Sequence, residues 1–277
     1  MSNRAAVIGH PVVQSLSPAI HGASFRELGV DWTYDAVDCT VEELGRFVDG
    51  VRSGSHAGLS VTMPLKEAIV PLLDRLDANA AALGAVNCVS VRGGLLVGHN
   101  TDGDGCADAL ENEAGAVIAG ADAVVLGAGG TARSVVTALA RRGASVRVVN
   151  RTATRAAEVA SLARRAVGGD ADIRPGSMTD IGRATVLVNT TSVGMDSDES
   201  PVDAAVLHGG LVVLDAVYSP LDTALLRSAR SAGARTVDGL WMLVHQARHQ
   251  QLLWFGRCAG AAVMRSESER ELAKRRK

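Results

Sequence analysis

"ADAVVLGAGGTARSVVTALARRGASVRVVNRT", residues 121–152, decides the fold class. Val124-Val125-Leu126 reads as a buried strand, Gly127-Ala128-Gly129-Gly130-Thr131-Ala132 as a turn, and Arg133 onward as a helix leading into a second strand. This is a βαβ half about thirty residues long, the size a dinucleotide-binding unit requires. The turn fits G-x-G-x-x-G/A, with Ala132 in the third small position. Gly127 allows the tight turn, Gly129 lets backbone approach a pyrophosphate, and Ala132 lets helix and strand pack closely. The helix N-terminus then faces the anion. A glycine turn with no ligand is the competing reading, and the flanking strand and helix weigh against it.

The end of the second strand speaks to the cofactor. An NAD reader usually places Asp or Glu about 20 residues past the glycines, where it accepts the ribose hydroxyls. This chain has Asn150-Arg151-Thr152 there, with Arg155 one turn further. An acidic side chain would repel a 2′-phosphate, whereas Arg pairs with it. That favours NADP(H), the alternative being solvated arginines at a helix start.

Outward from this unit, short apolar runs alternate with amphipathic stretches, as in α/β layering. Strands are expected at 4–9, 32–38, 56–61, 185–191 and 211–218, with a hairpin around Arg92-Gly93-Gly94. Helices are expected from Ser17-Pro18 to about Gly29, from Thr40 to about Val51, after Pro64, over 74–83, over 221–232, and from Asp238 on. The 277 residues suit two domains. No repeat or low-complexity linker is present, so structured crossovers near residues 105 and 237 are expected.

Composition narrows the function. Hydrophobic residues are 47% and charged residues 21%, so the chain is globular rather than disordered. The 28 Lys+Arg against 30 Asp+Glu leave −2, and aromatic residues are only 3%. No basic field or base-stacking surface points to nucleic acid, and nothing draws the chain to an anionic membrane. No apolar run of about 18 residues suggests a transmembrane helix, and the N-terminus lacks an apolar leader segment. Cys39, Cys88, Cys106 and Cys258 are too scattered for a zinc site or a disulfide framework. Reduced thiols in a cytoplasmic protein are expected. The tail "ERELAKRRK" reads as a charged, solvated helix end.

Polar residues gather where strands of the first half end. They are Ser15 and Ser17 after the first strand, Thr62 and Lys66 after the third, Asn87 on the hairpin, and Asn100-Thr101-Asp102 after it. In open α/β sheets ligands sit beyond the carboxyl ends of strands, so these segments can converge on a polyhydroxylated, anionic small molecule. Singly, each has a bland reading: Ser17 as a helix cap, Asn87 as a turn residue, Lys66 as a solvated helix residue.

Taken together, the segments resemble the shikimate dehydrogenase family over nearly the whole chain. "GHPVVQSLSPAIHGASF", "GLSVTMPLKEAI", "GAVNCV", "GHNTDGDG", "LGAGGTARS", "NRT", "NTTSVGM", "DAVYSP" and "DGLWMLVHQA" follow the family's order. The SLSP, VTMPLK and NTDG segments are far more specific than the glycine loop. The resemblance implies two α/β domains flanking a cleft. One would be a discontinuous substrate-binding catalytic domain (1–104 and 238–277), the other a Rossmann-type NADP-binding domain (105–237). It implies reversible NADPH-dependent reduction of 3-dehydroshikimate to shikimate, within aromatic amino acid biosynthesis.

On matching positions the resemblance implies that Ser15 and Ser17 bind the substrate carboxylate, with Tyr218 helping there. Thr62, Asn87, Asp102 and Gln246 would hold ring hydroxyls, and Lys66 and Asp102 would be the catalytic pair. Gly127, Ala128, Gly129, Gly130, Thr131 and Ala132 would hold pyrophosphate, and Asn150, Arg151, Thr152 and Arg155 the adenosine phosphate end. Thr190, Ser192 and Met195 would line the adenosine–ribose side, and Gly239 and Met242 the nicotinamide; no metal is implied. Ser60, Gln14, Ser219 and Gly22 depart from the family pattern, and the short Ser60 side chain is expected to loosen the turn near Thr62. Two rivals stay open, a quinate/shikimate dehydrogenase preferring NAD and a non-catalytic NADP-binding sensor, whereas a structural protein fails to explain so many polar residues at strand ends. A homodimer is compatible with all of these.

Overall fold

The apolar runs become strands, and where they lie in chain order sets the architecture. The computed structural model describes residues 3–195 and 197–275. Contacts divide these into two compact units, residues 3–101 with 246–275, and residues 102–245. The divisions fall between Thr101 and Asp102 and inside a long helix. The crossovers expected from the sequence lie nearby, near residues 105 and 237.

The first unit carries strands β1 (Arg4–Gly9), β2 (Thr33–Asp38), β3 (Gly58–Val61), β4 (Arg75–Leu76), β5 (Cys88–Arg92) and β6 (Leu95–His99). Helices α1 (Ser17–Leu28), α2 (Leu44–Arg52), α3 (Leu65–Ala68) and α4 (Ala78–Leu83) connect them. The sheet order is β2-β1-β3-β5-β6-β4. β1 runs parallel to β2 and β3, but β5 is antiparallel to both β3 and β6.

The second unit opens with α5 (Asp102–Ala114) and continues β7 (Asp122–Leu126), α6 (Gly130–Arg141), β8 (Ser145–Val149), α7 (Ala153–Val167) and β9 (Ile173–Pro175). Then follow β10 (Val186–Asn189), β11 (Val212–Asp215), α8 (Ala224–Ser231), β12 (Arg235–Val237) and the start of α9 (Gly239–Phe255). Its sheet, β12-β11-β10-β7-β8-β9, is parallel at every pair. Parallel strands are covered on both faces, which is why β7, β8, β10 and β11 read as unbroken Val/Leu runs. Ala132, Ala156, Ala160 and Ala163 are buried in that core and bring α6 and α7 close to the sheet. After α9, α10 (Ala261–Arg275) completes the first unit.

Several local expectations are corrected. Ser17 does not cap α1; it is the first helical residue, and its N–H donates to Ser15 Oγ at 3.2 Å. Glu43 reaches back to the Thr40 N–H at 3.0 Å, and α2 starts after that turn. The helix expected over 74–83 begins only at Ala78, because Asp77 caps it by accepting from Ala80 N–H at 2.7 Å. Arg75 and Leu76 pair with β6 instead. The described part of the tail, residues 269–275, is the helical and mostly exposed end that its charges suggest, and the helix is held by its earlier turns. Met264 and Ser268 of α10 are fully buried, and Arg275 Nη1 donates to the Gln14 carbonyl at 2.7 Å. Among the described residues no helix is long and apolar enough to cross a membrane.

Candidate active site

Register explains how residues far apart in the first unit share one edge of its sheet. β1 and β3 are parallel, so the segments after Gly9 and Val61, carrying Ser15, Ser17, Thr62 and Lys66, leave from the same edge. β5 is antiparallel to β3, so its beginning lies there too, and Asn87 immediately precedes it. β6 reverses again, pairing His99 with Cys88, which returns Asn100 and Thr101 to that edge. Gln246 comes from α9 and touches Asn87, its Oε1 accepting from Asn87 Nδ2 at 3.3 Å. Ser17, Asn87, Asn100, Thr101, Asp102 and Gln246 are all buried.

Backbone groups lock these side chains. Thr101 N–H donates to Asn87 Oδ1 at 2.7 Å, and Asn100 Nδ2 donates to the Ala85 carbonyl at 3.0 Å. The Lys66 carbonyl accepts from Val86 N–H at 2.8 Å, which ties α3 to the segment before Asn87. The turn at Thr62 is not loosened by Ser60. Thr62 N–H donates to Ile8 O and Leu65 N–H to Thr62 O, both at 2.9 Å. Ser60 Oγ is instead bridged, accepting from Tyr34 Oη at 2.6 Å and donating to Gln250 Oε1 at 2.5 Å. Nothing in the sequence marks Tyr34, Gln250 or Gln251 as part of this cluster beyond the spacing of Gln250 one helical turn after Gln246.

Most of the few aromatic residues gather behind it. His21 stacks on Tyr34 with centroids 4.3 Å apart and lies 5.0 Å from Trp254. Ser24 Oγ donates to Gln251 Oε1 at 2.6 Å, which leaves Gln251 Nε2 to donate to His21 Nδ1 at 2.9 Å. The His21 proton therefore sits on Nε2, which is buried and has no hydrogen-bond partner. Burial drives the His21 pKa from 6.5 down to about 3, opposed only in part by the Gln250 side chain beside it. Burial likewise pushes the Tyr34 phenol well above its usual value, against its hydrogen bonds with Ser60 and Ser17.

A stability effect follows. Below pH 6.5 the unfolded chain takes up a proton that the folded chain refuses until about pH 3. His21 therefore removes stability as pH falls through that window, by about 2 kcal/mol between pH 7 and pH 5. His56 is shifted the same way, by burial and then by the Arg4 charge. Thermal melts of His21→Phe should show a smaller drop in Tm between these pH values than the parent chain. Equal drops would mean that His21 is not held neutral.

In the second unit every strand runs the same way, so one sheet edge collects the carboxyl ends. Gly127 follows β7 with φ +113°, and a Cβ there would lie 2.6 Å from Thr190 Oγ1. That hydroxyl donates to the Leu126 carbonyl at 2.6 Å, so it cannot easily yield. Gly129 caps α6 with no side-chain hydrogen bond, and a Cβ there would meet nothing within 4 Å. The N-terminus of this twelve-residue helix is thus open at Gly129, while Ala132 is fully buried against the sheet. Asn150 Nδ2 donates to the Thr152 carbonyl at 3.0 Å, shaping the start of α7. Arg133, Arg155 and Arg165 line a cavity of about 440 Å³ together with Ala128, Glu158 and Ser161; the exposed Arg151 is not on its wall.

Thr190, Thr191, Ser192 and Met195 follow β10 at the same edge. Asn189 Oδ1 accepts from Thr191 N–H at 3.0 Å, and Asn189 Nδ2 donates to Asp215 Oδ1 at 2.9 Å. Thr223 Oγ1 donates to Asp215 Oδ2 at 2.7 Å, so one buried carboxylate joins the ends of β10 and β11 to the start of α8. Burial raises the Asp215 pKa despite these donors. Tyr218 lies half-buried after β11. Gly239 follows β12, where a Cβ would lie 2.4 Å from the Ala216 carbonyl, and Met242 packs into the core of the unit. Among the described residues no group of three or more His, Cys, Asp or Glu could hold a metal.

Comparison with known proteins places this geometry. The family profile "Shikimate dehydrogenase substrate binding domain" matches residues 7–89. The profile "Saccharopine dehydrogenase NADP binding domain" matches residues 123–275. Shikimate dehydrogenase (NADP(+)) of Pyrococcus abyssi is 41% identical over 268 residues, covering 97% of this chain and 98% of that one. The chain belongs to the shikimate dehydrogenase family. A crystal structure of the Thermus thermophilus shikimate dehydrogenase, in complex with NADP(H) and shikimate, superposes with a TM-score of 0.89 at 37% identity, over 98% of this chain and 99% of that one. Quinate dehydrogenase from Corynebacterium glutamicum, in complex with NAD, superposes with a TM-score of 0.86 at 32% identity, over 96% and 98%. As a shikimate dehydrogenase family member the chain takes a small-molecule substrate. The saccharopine profile covers the strand–glycine–helix unit, which dinucleotide-binding folds share.

Proposed function

We propose that this chain catalyses the reversible NADPH-dependent reduction of 3-dehydroshikimate to shikimate, a step of aromatic amino acid biosynthesis, in the cytoplasm. The observation that carries this reading is the sheet edge of the first unit, where the SLSP, VTMPLK, VN and NTDG segments meet. The four free cysteines suit a reducing compartment.

The second unit fits NADP(H). Gly127 and Gly129 add no Cβ atoms to the turn, the N-terminus of α6 can receive the pyrophosphate, and Ala132 seats that helix on the sheet. Gly130, Thr131 and Ala128 complete the turn. Arg155 and Arg133 on the cavity, with Asn150, Arg151 and Thr152 beside it, suit the 2′-phosphate end. Thr190, Ser192 and Met195 would border the ribose side, and Gly239 and Met242 the nicotinamide. When bound, the nicotinamide supplies the hydride for the ketone carbon. On this reading the first unit is the substrate part and the second the cofactor part; the bounds expected from the sequence, 1–104 with 238–277 and 105–237, lie within about ten residues of the divisions between the units, and Gly239 and Met242 fall in the second unit.

The chain's own residues do the rest. Ser15 and Ser17 offer hydroxyls to the substrate carboxylate, aided by Tyr218. Thr62, Asn87, Asp102 and Gln246 grip the ring hydroxyls and fix which carbon faces the cofactor. The Lys66 ammonium stabilises the negative charge developing on the ketone oxygen and gives that oxygen its proton. Asp102 orients Lys66 and accepts from the same hydroxyl region.

Rates with NADP+ or NAD+, each with shikimate or quinate, test the assignment. NADP+ with shikimate should lead, with NAD+ at least about tenfold lower in kcat/KM, since the 2′-phosphate–arginine pairing is lost. NAD+ with quinate leading would favour the quinate dehydrogenase reading. No activity in all four combinations would reject the enzyme.

A further inference from the structure

Gln246 can face a substrate with either its carbonyl or its NH2 group, and the structure shows what chooses. Asn87 is pinned first. The Thr101 backbone N–H can only donate, and it points at Asn87 Oδ1 at 2.7 Å, so Asn87 Nδ2 must face the other way. That Nδ2 donates to Thr101 Oγ1 at 3.0 Å and to Gln246 Oε1 at 3.3 Å.

Gln250 is pinned independently. The Asn87 backbone carbonyl can only accept, and Gln250 Nε2 donates to it at 3.3 Å. The same carbonyl is anchored by Val61 N–H at 2.8 Å. Gln250 Nε2 also donates to Gln246 Oε1 at 2.7 Å. On the other side Gln250 Oε1 accepts from Ser60 Oγ, whose own acceptor site is taken by Tyr34 Oη. Flipping the Gln250 amide would set its oxygen against two other oxygens, the Asn87 carbonyl and Gln246 Oε1. Obligatory backbone groups at both ends thus settle every amide in between, and Ser60, Asn87, Thr101, Gln246 and Gln250 are all buried in the first unit.

We infer that Gln250 is a positioning residue for Gln246: through the Tyr34–Ser60–Gln250 chain it holds Gln246 Oε1 inward, so that Gln246 meets the substrate as an NH2 donor. Gln246 then hydrogen-bonds a ring hydroxyl through that hydroxyl's lone pair. Gln250 itself does not touch the substrate. The Ser60 departure belongs to this device, since a short hydroxyl at that position spans Tyr34 and Gln250. The inference rests on the proposed shikimate reaction.

The test is a double-mutant cycle on the full chain, reading kcat and the KM for shikimate and for NADP+. Gln250→Leu removes the shortest hydrogen bond holding Gln246 Oε1 inward and leaves the longer one from Asn87 Nδ2, and KM for shikimate should rise about tenfold, as for loss of one ordering hydrogen bond in a buried site. KM for NADP+ should stay within about twofold, a split that general damage to the fold would not produce. Gln246→Leu should raise the shikimate KM at least as much, and the double variant no further than Gln246→Leu alone. Additive effects, or a Gln250→Leu enzyme with unchanged shikimate KM, overturn the inference. If Gln250→Leu does not fold, Ser60→Ala takes its place in the same cycle, with an expected rise of about threefold to fivefold; no rise there overturns it equally. An inactive parent chain would reject the proposed reaction instead, so the two failures are told apart.

Discussion

Lys66→Ala is expected to lower kcat by about a thousandfold, within the range for loss of a positioned proton donor. The substitution removes the ammonium that would stabilise the developing oxyanion, and with it the proton that the oxygen receives. It leaves Ser15, Ser17, Thr62, Asn87 and Gln246 in place, so shikimate should still bind. The fold should survive as well, because Lys66 anchors α3 through its backbone carbonyl, which the change does not touch. Steady-state kinetics together with calorimetric titration of shikimate check both halves. A near-normal kcat would remove Lys66 from the chemistry.

Gly103→Ala should be among the most damaging single methyl groups in the second unit. A Cβ at Gly103 would sit 2.3 Å from the Ser134 backbone oxygen and 2.7 Å from its carbonyl carbon. Those are main-chain atoms of α6, so α5 would have to move away from it. The Gly103 N–H also donates to Ser134 Oγ at 2.8 Å, a bond that such a shift would break. Overpacking of this kind costs about 3 kcal/mol, or roughly a 6–12 °C fall in Tm for a chain of this size. Gly129→Ala supplies the contrast, because its Cβ meets nothing within 4 Å. It should keep its Tm and weaken NADP+ binding, since the added methyl lies where the pyrophosphate would approach. Equal Tm values for the two variants would contradict the close α5–α6 packing.

Part of the structure was legible in the sequence because its signal is local. The run from β7 through β8 is readable from apolar spacing and the glycine turn, and Gly29 ends α1 with φ +59°, the conformation glycine tolerates best. α5 escapes such reading. Its buried face is Asp102, Gly103, Gly105, Cys106, Ala107, Ala109 and Leu110, mostly too small and too little apolar for a hydrophobic stripe to stand out. The two-residue β4 escapes for the opposite reason, since pairing with β6 and not its own composition makes it a strand. The tail from residue 269 reads as solvated by its charges and is mostly exposed, whereas the buried side that Met264 and Ser268 give α10 just before it carries no apolar stripe in the sequence.

The sequence by itself determined the α/β class, the glycine turn and the polar segments that mark the family. Each depends on residues within a few positions of one another, where propensity and covalent spacing act directly. Tertiary structure decided how those segments meet. Two antiparallel reversals at β5 and β6 bring Asn87 and Thr101 to the edge shared by Ser17 and Thr62. The orientation of Gln246 depends on an N–H and a carbonyl more than a hundred residues away in the chain. Buried donors and acceptors must find partners wherever the fold supplies them, and no local pattern specifies a partner at that separation.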